Sequence, residues 1–198
     1  MSSVAVAQHG HADSREFTAQ PLGKIGVWWF LASEIMVFGG LIGSYILCRI
    51  AAGGWAVERA HVNTRIAIFN TLVLVTSSLT VVKAHAAAET NDRSAARRFM
   101  LFTVLLGCTF LCVKFYEYSH EIEHGFTPAT GTFWSFYYTM TGLHGLHVFG
   151  GIVLNFILFL ACGGKAWERI KHRIEYAGLY WHFVDVVWIF LFPLLYLA

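Results

Sequence analysis

The chain has 198 residues, of which 57% are hydrophobic and only 13% charged, with a mean hydropathy of +0.57. Water-soluble domains carry charge on about 25% of their residues, so an ordinary soluble fold is excluded and an integral membrane protein is indicated. The net charge of +2 is scattered between apolar runs, without the clustered basic face that nucleic acid requires.

Residues 1–24 include His9, His11, Asp13, Arg15, Glu16 and Lys24 and contain no early apolar run. They read as a polar tail without a cleaved secretory signal, so the first helix must itself direct insertion. The membrane domain then occupies residues 25–198. Its first span, Ile25 to Ile50, is interrupted only by Ser33 and Glu34 and ends at Arg49. Thr64 to Val82 is the second, with Asn70, Thr71 and a Thr76-Ser77-Ser78 cluster able to hydrogen-bond between helices in lipid. Phe99 to Tyr118 is the third. Phe133 to Cys162 is the fourth, long enough to tilt or to project beyond the bilayer, and Tyr176 to Leu197 the fifth. A helix of about 20 apolar residues crosses a hydrocarbon core of about 30 Å, and these runs are too long for barrel strands. The expected fold is therefore all-α, a bundle of five transmembrane helices over about 25–50, 64–82, 99–118, 133–162 and 176–197.

Orientation follows from the basic residues. Arg15, Lys24, Lys83, Arg93, Arg97, Arg98, Lys165, Arg169, Lys171 and Arg173 fall on the side of the tail, against Arg49, Arg59 and Arg65 on the other. That asymmetry places the N-terminus in the cytoplasm and the C-terminus in the periplasm. Lys114, near the outer end of the third span, is expected to snorkel to the interface. Gly39 and Gly43 in the first span, and Gly142, Gly145, Gly150 and Gly151 in the fourth, mark expected close helix contacts. Pro193 should kink the last helix. Cys48, Cys108, Cys112 and Cys162 lie within apolar runs, without CxxC spacing, and read as buried packing residues.

Polar groups in hydrocarbon carry the functional signal. Glu34 lies about 15 Å past Lys24 along a helix, near the bilayer midplane, where a carboxylate costs about 2.5–3.5 kcal/mol. It reads either as a proton-linked or interface carboxylate or as a protonated acid bonded to a neighbouring helix. His144 and His147 are three apart on the fourth span, as are His182 and Asp185 on the fifth. Two histidines on facing helices could hold a metal or haem, but the sequence singles out no such pair, and interhelical hydrogen bonding is the expected role. His120-Glu121-Ile122-Glu123-His124 is a literal HExxH, the spacing of a zinc protease. It straddles a helix end, Gly125 and Pro128 follow, and no third ligand is indicated, so a solvated acidic helix end is the competing reading.

Three blocks together resemble subunit III of the haem-copper terminal oxidases. They are Ser33-Glu34-Ile35-Met36-Val37-Phe38, Thr141-Gly142-Leu143-His144-Gly145-Leu146-His147-Val148 and Tyr180-Trp181-His182-Phe183-Val184-Asp185-Val186-Val187-Trp188. Weaker echoes are Asn70-Thr71, Tyr116-Glu117-Tyr118 and Glu175 ahead of the last helix. The resemblance implies an accessory subunit of a respiratory oxidase in the bacterial inner membrane, without redox metals of its own. Its implied partners are the catalytic subunit I, which carries haem and copper, other oxidase subunits, and phospholipid. Glu34 matches the family's membrane carboxylate, and Glu117, His144, His147, Glu175, His182 and Asp185 match its other polar positions. Many members have seven helices, and the five here resemble shorter bacterial forms, which puts in doubt a lipid cleft built with the first two. A subunit III-like partner of a nitric oxide reductase and a membrane zinc protease are the rival readings.

Overall fold

A computed structural model describes residues 22–164 and 167–197, with the side chains of Leu22 and Arg169 outside the description; the expected tail lies almost wholly outside it. Among the described residues the secondary structure is entirely helical. Helix α1 (Leu22–Ala51) is followed by a single turn, α2 (Ala56–Arg59), and by the long helices α3 (Thr64–Glu89), α4 (Arg93–Glu123), α5 (Thr132–Cys162) and α6 (Trp167–Phe192), which ends in a π-helical turn, Pro193–Leu197. Among the described residues, five helices are long and apolar enough to cross a membrane.

The helices outrun the apolar stretches, most of all at the N-terminal end of α6, so Glu175 lies within that helix and not ahead of it. Contiguous apolarity missed this turn because it is amphipathic. Trp167, Ile170, Ile174, Ala177 and Trp181 are buried at helical spacing while Glu168 is exposed. Helices α4 and α5 have 31 residues each, about 46 Å, and so exceed the hydrocarbon thickness.

Local chemistry sets the ends. Asn63 caps α3 by accepting from the N–H groups of Arg65 and Ile66, and Asp92 caps α4 by accepting from Ala95 N. Between α3 and α4 the chain turns in three residues, with Asn91 at φ 59°, a conformation that asparagine tolerates. Gly125, at φ 85°, ends α4: Gly125 N donates to Ile122 O and Phe126 N to Glu121 O, the paired bonds of a Schellman cap. Pro193 has no N–H to continue the α ladder. The carbonyls of the π turn are met from elsewhere, Leu194 O by the Tyr45 hydroxyl (3.1 Å) and Leu197 O by Arg59 (2.7 Å).

Helices α3 to α6 form a four-helix core, in which α3 lies against α4 and α6, and α5 against the same two. The centre of that core is Trp181, fully buried on α6. A Cβ at Gly107 on α4 would come within 2.8 Å of its ring, and one at Gly151 on α5 within 2.7 Å. Two absent side chains thus make the slot that the indole fills. The expected small-residue contact at Gly39 and Gly43 is not made within this chain: a Cβ at either would meet nothing within 4 Å. Helix α1 meets the core by another face, through Leu31, Phe38 and Tyr45, buried at seven-residue intervals. Of the cysteines, only Cys162 is a buried packing residue; Cys48, Cys108 and Cys112 are exposed, and all four are free.

Candidate functional site

Every polar position singled out in the sequence lies on a long helix, but the partners differ from those that spacing suggests. Glu34 of α1 reaches α5, its Oε2 3.0 Å from His147 Nε2, with both side chains largely shielded. The other ring nitrogen, Nδ1, lies 2.9 Å from Leu143 O, which can only accept, so Nδ1 carries a hydrogen. The contact ties α1 to α5 through a carboxyl and an imidazole at hydrogen-bond distance. The Phe38 ring packs edge-on against the imidazole at 5.4 Å, and the Tyr180 hydroxyl donates to His147 O at 2.9 Å. The pair is the middle of three fastenings of α1. Lys24 meets Glu175 at 3.1 Å at one end, and Tyr45 bonds Leu194 O at the other.

His144, one turn before His147, packs into the core rather than against α1. It is fully buried, stacked on Trp188 with ring centroids 5.1 Å apart and edge-on to Phe110 at 5.7 Å. Neither ring nitrogen has a hydrogen-bond partner among the described residues, so the expected interhelical bond is not made.

His182 and Asp185 do not bond each other. His182 Nδ1 and the Ser78 hydroxyl share a bond of 2.7 Å, one rung of a ladder between α3 and α6. The Trp181 indole donates to Ser77 Oγ at 3.0 Å and the Trp188 indole to Thr71 Oγ1 at 2.9 Å. From Thr71 to Ser77 along α3 the rungs step back from Trp188 to Trp181 along α6, as antiparallel packing requires. Thr71 and Ser77 each donate their own hydroxyl hydrogen to a carbonyl in the preceding turn, which leaves a lone pair for the indole. Asp185 is 5% exposed, and neither carboxyl oxygen has a hydrogen-bond partner among the described residues. His144, Glu117 and Asp185 are all buried within this chain.

The most concentrated polar cluster lies at the far end of the core, and sequence reasoning placed its central residue wrongly. Lys114 does not snorkel: it is 6% exposed, turned into the bundle, and donates to Glu117 Oε2 at 3.0 Å and to the Tyr196 hydroxyl at 2.5 Å. Tyr137 and Tyr196 both donate to Glu117 Oε1, at 2.8 and 2.7 Å. The rings of Tyr137, Trp188 and Tyr196 each stand 5.2 Å from the ammonium, and that of Tyr118 5.5 Å. A buried ion pair is tolerable when its remaining hydrogen-bond sites are filled, and here Tyr137 of α5 and Tyr196 of the π turn fill them, with the Trp188 ring of α6 against the ammonium. Snorkelling was expected because Lys114 lies near the outer end of its apolar run; the signal against it was Glu117 three residues on, one helical turn away.

The HExxH run lies at the end of α4. The rings of His120 and His124 stack 4.4 Å apart, and His124 Nδ1 is bonded to the carbonyl of His120. Glu121, which would serve as the base, is turned inward and is 2% exposed, while His120 and His124 are at the surface. Among the described residues no group of three or more His, Cys, Asp or Glu side chains is placed to hold a metal ion.

Comparison with known proteins bears on this arrangement. The family described as Cytochrome c oxidase subunit III matches residues 6–198. A probable cytochrome c oxidase subunit 3 of Nocardia farcinica is 35% identical over 194 residues, 97% of this chain and 94% of that protein. The cytochrome c oxidase subunit 3 of Synechocystis is 37% identical over 196 residues, 98% of this chain and 79% of its own length. That of Thermostichus vulcanus is 36% identical over 191 residues, covering 96% and 90%.

Proposed function

Because the chain belongs to the cytochrome c oxidase subunit III family, we propose that it is the accessory subunit of a respiratory haem-copper oxidase that reduces oxygen to water and translocates protons. It docks on the catalytic subunit I, which carries the haem and copper, and lies in the bacterial inner membrane with its N-terminus in the cytoplasm. In this reading the polar tail covers residues 1–24 and the membrane domain residues 25–198, and the subunit sustains proton uptake, stability and lipid binding of its partner without redox metals of its own.

The observation that carries the reading is the Glu34–His147 contact. A carboxyl and an imidazole in contact near the middle of a membrane can pass a proton if a neighbour offers a path. Helix α1 is open to such a neighbour: Trp29, Ile35 and Met36 are 75%, 61% and 79% exposed. The closing α6 block serves the other half of the role, since its Trp181, His182 and Trp188 bonds hold the core that presents His147 to Glu34.

Purification in mild detergent tests this directly. The chain should co-purify with a haem-copper polypeptide that reduces oxygen, and by itself should show no haem absorbance. A partner that reduces nitric oxide would select the rival assignment, and a stoichiometric Soret band in the isolated chain would overturn the accessory role.

A further inference from the structure

His120, in the last turn of α4, and His124, the residue that caps the helix, are four apart and so share a face. Both are exposed, and their rings lie over each other with centroids 4.4 Å apart and planes inclined by 35°. The bond that holds His124 also fixes its tautomer. Its Nδ1 lies 2.8 Å from His120 O, and a carbonyl can only accept, so Nδ1 carries the hydrogen. The lone pair therefore belongs to Nε2, on the far edge of the ring from that carbonyl. An imidazole whose other N–H is held by a backbone carbonyl is the usual state of a histidine that ligates a metal. Nothing in the chain competes for it: among the described residues neither the His120 ring nor Nε2 of His124 has a hydrogen-bond or salt-bridge partner.

The local charge suits a cation. The C-terminal end of a helix carries the negative end of its dipole, and Glu123, exposed beside His124, has no salt-bridge partner among the described residues. The donor set decides which cation. Imidazole nitrogens suit zinc and copper, whereas magnesium and calcium seek oxygen. A hydrolytic centre is a different arrangement, because Glu121, which would have to act as base, is turned into the bundle and no third side chain completes the ligand set among the described residues. Two imidazoles clasp an ion and leave its other positions to solvent, which exposed rings permit.

We infer that His120 and His124 chelate a divalent transition-metal ion of the zinc and copper class, through Nε2 of His124 and a ring nitrogen of His120, and so clasp the end of α4. The inference goes beyond the accessory role and does not depend on which catalytic subunit the chain accompanies. The test is equilibrium dialysis of the detergent-solubilised complex against micromolar Zn2+, with exchangeable zinc counted per copy of this chain. The wild type should hold one zinc more than H120Q/H124Q. H120Q and H124Q alone should each bind that zinc at least about tenfold more weakly, the loss that follows even when only a supporting residue of a metal ligand is removed. H120C, which offers a thiolate in place of the imidazole, should keep the zinc that H120Q loses, which separates ligation from folding. Zinc should also raise the unfolding temperature of the wild type and not that of H120Q/H124Q, because an ion held only by the folded helix end stabilises the folded state.

Equal zinc in the wild type and H120Q/H124Q would overturn the inference. So would a single variant that binds like the wild type, since the rings would then not act as a pair. Displacement of the zinc by millimolar Mg2+ would show a carboxylate site around Glu123, and an H120C variant that behaves like H120Q would show that position 120 acts through the fold; either result also overturns it. Absence of the haem-copper polypeptide from the preparation would count against the proposed function alone, because the zinc count is taken per copy of this chain.

Discussion

Helix α1 and the α3–α6 core are both apolar helical structure, yet they are held by opposite means. The core is interlocked: an indole fills the slot left by two glycines, a hydroxyl ladder joins α3 to α6, and Lys114 is enclosed by Glu117 and four aromatic rings. Helix α1 leans on that core along one seam of three buried side chains and is fastened at three heights by single polar contacts. Lipid gives helices no hydrophobic reason to associate, so shape and hydrogen bonds decide how tightly each is held. The difference teaches that the core is held by interlocking contacts on every side, whereas α1 is held along one seam and leaves most of its surface exposed.

The comparison breaks most visibly if the core is struck. Lys114→Met leaves the Glu117 carboxylate buried without its cation and should cost about 3–5 kcal/mol, read as loss of folded subunit in detergent thermal-unfolding scans. Lys114→Met with Glu117→Leu should recover most of that, because removing both charges is close to neutral. If the single variant unfolds like wild type, the Lys114 cluster does not hold the core.

Gly151→Ala is expected to be milder. The new methyl would sit 2.7 Å from the Trp181 ring, and overpacking of this kind costs about 1–3 kcal/mol. Gly39→Ala on α1, where a Cβ meets nothing within 4 Å of this chain, is its control. Equal unfolding temperatures for the two variants would remove the interlocking from the account.

The smallest expected effect on stability belongs to the α1 fastening. Glu34→Gln keeps the shape and a hydrogen bond to His147, so the change should stay below about 1 kcal/mol. What Gln cannot do is exchange a proton, and the assembled oxidase should start at its normal rate but inactivate sooner during sustained turnover. Loss of folded subunit with unchanged turnover endurance would reverse the roles of α1 and the core.

Much of this arrangement was legible in the residues. The five spans follow from run length, and Asn63, Asp92 and Gly125 mark helix ends by their own chemistry. The Ser77-Ser78 segment, read as able to bond between helices, does so. Less legible was the start of α6, where buried positions alternate with charged ones and hide within a polar stretch. Gly107, half of the Trp181 slot, carried no spacing signal of its own, whereas the conspicuous Gly39–Gly43 pair meets nothing within the chain.

The sequence alone determined that the chain forms five helices long and apolar enough to cross a membrane among the described residues, because hydrocarbon offers backbone groups no outside partner and apolar runs of this length are too long for barrel strands. It also determined which polar residues would need partners. Only the tertiary structure decided who those partners are: Glu34 with His147, His182 with Ser78 and not Asp185, and Lys114 turned inward and not toward the interface. The reason is geometric. Helical periodicity fixes which side chains share a face, but which face meets which helix depends on the packing of all the helices at once.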